Sequence, residues 1–136
     1  MRELFEAIRD RLASDPHAIP SHFTDAPGKP TYPYALIWGG SGLLGTDTLC
    51  DRDDLDDAFS VTWVSLSALG VLDVRAIGRA ALDGWTPAST VWQMQPITLQ
   101  KRMGQDVQVD RDVTFPNTDQ HAYYAVDRFR LAGDLT

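Results

Sequence analysis

The chain predicts an α+β fold: a single domain in which two helices pack on a mostly antiparallel, mixed sheet of about four or five strands, with a long Gly/Asp-rich loop. Three observations carry that expectation. A strand-like run, Phe59 to Leu66, passes directly into an amphipathic helical pattern ending at Trp85. A second helical pattern opens the chain, and a run of strict alternation closes it.

Residues 2 to 14 place Leu4, Phe5, Ile8 and Leu12 on one face and Arg2, Glu6, Arg9 and Asp10 elsewhere, as in a surface helix. Asp15-Pro16 ends it, because the residue before proline avoids helical backbone. Five of the eight prolines fall between positions 16 and 33, which predicts an extended connector rather than a regular element. Tyr34 to Trp38 reads as a short buried strand.

From Gly39 to Asp57 the sequence predicts a long acidic loop. It holds four glycines within seven residues and then five aspartates between Asp51 and Asp57. Loops longer than about 12 to 15 residues in compact domains usually carry function or are disordered, so this segment is a candidate for docking onto a neighbour.

Phe59 to Leu66 is rich in β-branched and aromatic residues (Val61, Thr62, Trp63, Val64), which favour a strand covered on at least one face. From Val71 the period changes to 3.6. Val71, Val74, Ile77, Gly78, Ala81, Leu82 and Trp85 form one stripe, with Arg75, Arg79 and Asp83 opposite, and Gly84 supplies a stop. Trp63 and Trp85 are expected in the core.

Thr90 to Gln100 suits a strand that Pro96 confines to an edge or splits. Val107, Val109 and Val113 alternate with polar residues and mark another. In the closing strand, Tyr123 to Leu131, one face carries Tyr123, Ala125, Asp127, Phe129 and Leu131, and the other Tyr124, Val126, Arg128 and Arg130. Pro116-Asn117-Thr118-Asp119 between them fits a hairpin turn.

Composition bounds the function. The 136 residues make one domain, 1–136, able to bury about two-thirds of the surface its unfolded chain exposes. With 43% hydrophobic and 23% charged residues, it matches ordinary globular proteins. A net charge of -7 argues against gripping a phosphate backbone, which takes clustered Lys and Arg. The single cysteine, Cys50, cannot form an intrachain disulfide. Acids among the apolar residues at the amino terminus do not fit a signal peptide, and the uncharged run from Pro30 to Thr46 is too short and broken to span a bilayer. A soluble, cytoplasmic product is expected.

Motifs with catalytic or ligand-binding meaning are weak. Gly40-Ser41-Gly42-Leu43-Leu44-Gly45 matches the dinucleotide fingerprint in letters, but the residues after it are acidic and lack the helical periodicity that would aim an amino terminus at a pyrophosphate. The Asp51, Asp53, Asp54, Asp56, Asp57 cluster invites a calcium reading, yet Asp56 stands where the EF-hand turn needs glycine and Thr62 where it needs glutamate. His17, His22 and His121 share no metal-ligand spacing, and Ser41 does not fit a nucleophile elbow. No catalytic residue, cofactor site or metal site is therefore expected, and a nucleotide-binding enzyme using Gly40 to Gly45 is kept as a minor alternative. Arg75 with Arg79, and Arg128 with Arg130, are like-charged pairs that read either as solvated faces or as contacts to an acidic neighbour, such as the Asp51 to Asp57 loop of another copy.

In order and spacing, the helix Leu4 to Leu12, the Tyr32-Pro33-Tyr34-Ala35-Leu36-Ile37 entry strand, the strand and helix ending Ala80-Ala81-Leu82-Asp83-Gly84-Trp85, and the closing Tyr124 to Leu131 resemble the tail terminator (tail completion, head-tail joining) proteins of long-tailed bacteriophages, the siphophages. The resemblance implies a non-enzymatic α/β virion subunit, made in the host cytoplasm and placed in the tail-neck region. It implies a homo-hexameric ring that ends tube growth at the head-proximal end, with the major tail tube protein and the head-tail connector or stopper as partners. DNA would pass through its channel unbound, and acidic residues there would discourage sticking. Candidate ring contacts are Leu43, Leu44, Asp51, Asp53, Asp54, Asp56, Asp57, Arg75, Arg79, Arg128 and Arg130. A head-closure protein of the same neck is the alternative.

Overall fold

A computed structural model of the chain describes residues 2–24, 30–39, 54–101, 106–114 and 121–135. Two helices lie on one mixed sheet, which among these residues has seven strands. The elements in chain order are α1 (Arg2–Ala13), β1 (Ser21–Phe23), β2 (Tyr34–Gly39), β3 (Asp54–Ser65), α2 (Ala68–Leu82), β4 (Trp92–Met94), β5 (Thr98–Leu99), β6 (Gln108–Thr114) and β7 (His121–Leu135).

The sheet is built around β7. One edge of this strand pairs antiparallel with the whole of β3, from Asp54↔Asp134 to Ser65↔Tyr123. Along its length it also meets β6 near Tyr123 and Tyr124, β5 at Phe129 and Arg130, and β4 at Gly133 to Leu135. β2 pairs antiparallel with β3, and β1 adds a parallel pair, with Ser21↔Ala35, the one such pair among the described residues. The two-helix, mixed-sheet fold is as expected; seven strands are found among the described residues against about four or five because β1 forms inside the proline-rich connector and because Pro96 divides 90–100 into β4 and β5. Proline has no N–H for the ladder, so a split at this point follows from its chemistry.

Alternation on the long strands decides which face is covered. Leu55, Phe59, Val61 and Trp63 of β3 and Ala125, Asp127, Phe129 and Leu131 of β7 are buried beneath the helices. Phe59 and Phe129, directly opposite in the register, stack with centroids 5.4 Å apart. α1 adds Leu4, Ile8 and Leu12 to this core, and the Phe5 ring meets Phe59 edge-on.

The boundaries of two elements depart from the sequence expectation. β3 begins at Asp54, so Asp54, Asp56 and Asp57 belong to a strand and not to the loop; Gly39 likewise closes β2. Aspartate disfavours strands, but Leu55 is fully buried and the extended β7 supplies a partner for every residue from Asp54 onward, and that tertiary pairing overrides propensity. α2 starts three residues earlier than Val71, where Ser67 caps it by accepting the Gly70 N–H at 3.0 Å. It stops at Leu82, with Gly84 at φ +84° just beyond. Trp85 therefore lies outside the helix and is half-buried rather than fully in the core, with the Arg11 guanidinium 5.3 Å from its ring centre. Ile77 also leaves the expected stripe: Val71, Val74, Gly78, Ala81 and Leu82 are buried, whereas Ile77 is exposed.

Candidate functional site

The most heavily charged point of the interior is Asp127, whose side chain is 0% exposed at the middle of β7. Strand alternation points it at α2, and the helix answers with two arginines one turn apart. Arg79 donates from Nε to Asp127 Oδ2 at 2.7 Å and from Nη2 to Oδ1, a bidentate fork. Arg75 donates from Nη2 to Oδ1 at 2.7 Å and from Nε to Oδ2 at 3.0 Å. Trp63 Nε1, on the neighbouring strand β3, donates to Oδ2 at 2.8 Å. Burial alone would raise the carboxyl pKa. The hydrogen bonds from Arg79, Arg75 and Trp63, with the Arg75 charge, outweigh it and hold the group at about 2.

A buried carboxylate with shifted pKa is often a sign of chemistry. Here its oxygens are engaged by three donors of its own chain, so its evident work is to tie α2 to the sheet. The sequence reading puts Asp127 on one strand face with Tyr123, Ala125, Phe129 and Leu131, without naming that face as the buried one and without giving the acid a role. The available signal was a lone acid in an otherwise apolar strand face, together with two arginines spaced for a single helix face; a buried charge requires such partners.

Arg75 and Arg79 thus face a buried acid of the same chain and not open solvent. The other expected contact residues sit as follows. Arg130 Nε donates to Asp56 Oδ1 at 3.1 Å across the β3–β7 ladder, a pair open to solvent on both sides. Arg128 donates to Ser60 Oγ at 3.2 Å. Asp57 lies on the opposite face of β3 from Asp56 and accepts the Ala58 N–H at 2.8 Å. Two successive strand residues point to opposite faces, so Asp56 and Asp57 cannot converge on one cation as the calcium reading requires. Leu43, Leu44, Asp51 and Asp53 lie outside the described residues, as do Gly40 to Gly45 and the Pro116 to Asp119 turn. Asp54 opens β3.

The sheet face away from the helices carries a second apolar cluster of Tyr34, Val64 and Ala122, flanked by Tyr32, Leu36 and Tyr124. These line a shallow cleft of about 240 Å³. Burial, followed by the neighbouring Tyr32 and Asp110, pushes the Tyr34 phenol up to about 12. A larger cleft, about 370 Å³, opens between α1 and the β1–β2 edge, lined by Phe5, Phe23 and Ile37 with Arg2, Glu6 and Arg9, while the Trp38 indole donates to Thr62 Oγ1 at 2.8 Å. Among the described residues no group of three His, Cys, Asp or Glu could hold a metal ion, and no helix is long and apolar enough to cross a membrane.

No protein-family model matches the chain, and no curated protein matches it in sequence. The fold itself is shared. A chain from the structure of the virion of a native gene transfer agent particle superposes with a TM-score of 0.66 at 13% identity, covering 96% of this chain and 94% of that one. Both chains are thus matched almost end to end, which makes the likeness one of whole domains.

Proposed function

We propose that this chain is a structural subunit of a phage-like virion, and specifically the ring that closes the head-proximal end of the tail tube. The observation that carries the reading is the end-to-end fold likeness to a chain of a gene transfer agent virion. The order of sequence elements shared with tail terminators narrows it. The saturation of Asp127 by Arg75, Arg79 and Trp63 fits a protein whose charged interior serves rigidity.

In this reading copies of the chain close into a homo-hexameric ring through heterologous contacts related by one rotation. One face of the ring binds the last ring of tube protein. The other presents no tube-like surface, so polymerisation stops, and it offers the head connector a place to dock. With a net charge of -7, the subunit lets DNA pass without holding it.

The test is to add the purified chain to tube subunits as they polymerise. Tubes that shorten as the ratio of this chain to tube subunit rises support capping. A length distribution unchanged at equimolar ratio argues against it and moves the protein to the head side of the neck.

A further inference from the structure

β2, β3, β7 and β6 lie side by side, and on the sheet face turned from the helices their register draws one row across all four: Tyr34, Val64, Tyr124 and Gln108. In the next row Ala122 stands opposite Asp110. Val64 and Ala122 are shorter than the tyrosines that flank them, and Tyr32 adds a further ring, its centre 5.2 Å from that of Tyr34. The result is the cleft of about 240 Å³. Pockets for drug-sized ligands hold roughly 300 to 1,000 Å³, so this one suits a single long side chain.

The polar groups of the cleft say what that side chain carries. Tyr124 engages Gln108, hydroxyl to Oε1, at 3.1 Å. Tyr34 differs: it is 8% exposed, lines the cleft, and its hydroxyl has no hydrogen-bond partner among the described residues. No fully enclosed side-chain oxygen of these residues lacks a partner, so that hydroxyl opens to the cleft. The phenol keeps its proton at neutral pH, because burial, then Tyr32 and Asp110, push it up to about 12. Asp110 is the one charged residue lining the cleft among the described residues. It is engaged within its own chain, but a carboxylate offers about four lone-pair sites, so a further donor can be added.

Three classes of occupant can be weighed. An apolar group would strip water from Asp110 and the Tyr34 oxygen and return no hydrogen bond. An anion would be repelled by Asp110. A guanidinium avoids both costs: it is planar, stacks on aromatic faces and gives its N–H groups to carboxylate and hydroxyl oxygens.

We propose that this cleft receives an arginine side chain of a partner protein, its guanidinium lying against the tyrosine rings and donating to Asp110 and to the Tyr34 hydroxyl. The net charge of -7 draws basic partner surfaces toward the chain. The site is independent of the ring reading, and its loss would leave that reading standing.

The test is two-dimensional NMR of the full chain titrated with Nα-acetyl-arginine amide, with Nα-acetyl-citrulline amide as a neutral analogue of the same shape. Expected are saturable shifts at Tyr34, Val64, Ala122 and Tyr124, with the citrulline analogue bound about tenfold more weakly. Asp110→Asn, which keeps the shape, and Tyr34→Phe, which removes only the hydroxyl, should each weaken the arginine analogue by about three- to tenfold. Asp110→Asn decides the matter alone should Tyr34→Phe fold poorly. Equal binding of the two analogues, unchanged binding by Asp110→Asn, shifts confined to another part of the chain, or no saturation at tens of millimolar would each overturn the site. A lysine analogue that binds as tightly as the arginine one would overturn the choice of guanidinium.

Discussion

The Trp63 indole lies against Gly78 so closely that a Cβ at that position would stand 2.1 Å from Trp63 Cη2. Trp63 is fully buried, and its Nε1 is held by Asp127, so the ring cannot retreat without breaking that bond. Gly78→Ala is therefore expected to destabilise the fold by about 1 to 3 kcal/mol, even though alanine favours a helix interior by roughly 1 kcal/mol over glycine. Urea unfolding measures it, and an unchanged or raised midpoint would show that the helix and ring are not in this contact.

Asp127→Asn keeps the shape but removes the charge that two guanidinium groups share. Arg75 is then largely buried without its counter-ion, and the amide presents donors where only acceptors fit. Breaking a buried ion pair in this way costs about 3 to 5 kcal/mol. The solvent-open Arg130–Asp56 pair is a control: Arg130→Ala should cost less than about 1 kcal/mol. Equal losses in the two variants would contradict the distinction.

The same carboxylate predicts acid sensitivity. Its pKa is about 2 in the folded chain against an ordinary 3.8, so its contribution is complete above pH 4 and disappears as the pH falls through 2. The difference corresponds to stability on the order of 2 kcal/mol. Unfolding free energies at pH 7, 4 and 2 should show this drop in the wild type and a smaller one in Asp127→Asn. A parallel fall in both would assign the acid lability to other carboxylates.

How much of this was legible in the sequence differs from element to element. Period-2 alternation sorted β7 into its two faces, of which the structure buries the one with Ala125, Asp127, Phe129 and Leu131, and of the two outcomes that the missing N–H of Pro96 allowed, edge or split, the split is found. Asp54 to Asp57 misled because local propensity opposes a strand that β7, some 75 residues later, enforces. β1 was hidden because three residues amid prolines carry no periodicity of their own; their strand exists only through pairing with Ala35 to Ile37. The Arg75–Arg79–Asp127 centre was missed for a related reason. Each residue sat on a correctly drawn element, but that the helix turns this face to that strand is a tertiary fact. Ile77 counted as core by its spacing, and its exposure, with that of Leu69 and Leu72, is what reveals a second apolar side of α2.

The two tryptophans expected in the core are predicted to differ. Trp63→Ala removes a fully buried ring and should cost at least about 3 to 5 kcal/mol. Trp85 is half-buried outside the helix with Arg11 over it, so Trp85→Ala should cost about 2 kcal/mol. Thermal or urea denaturation of both orders them, and a larger loss at Trp85 would be inconsistent with the packing described.

Tail length, measured by electron microscopy in lysates of the phage lacking this gene, bears most directly on the claim that the chain closes the tail tube. Overlong, headless tails are the predicted result. Tails of normal length beside unjoined heads would contradict it and place the subunit on the head side of the neck.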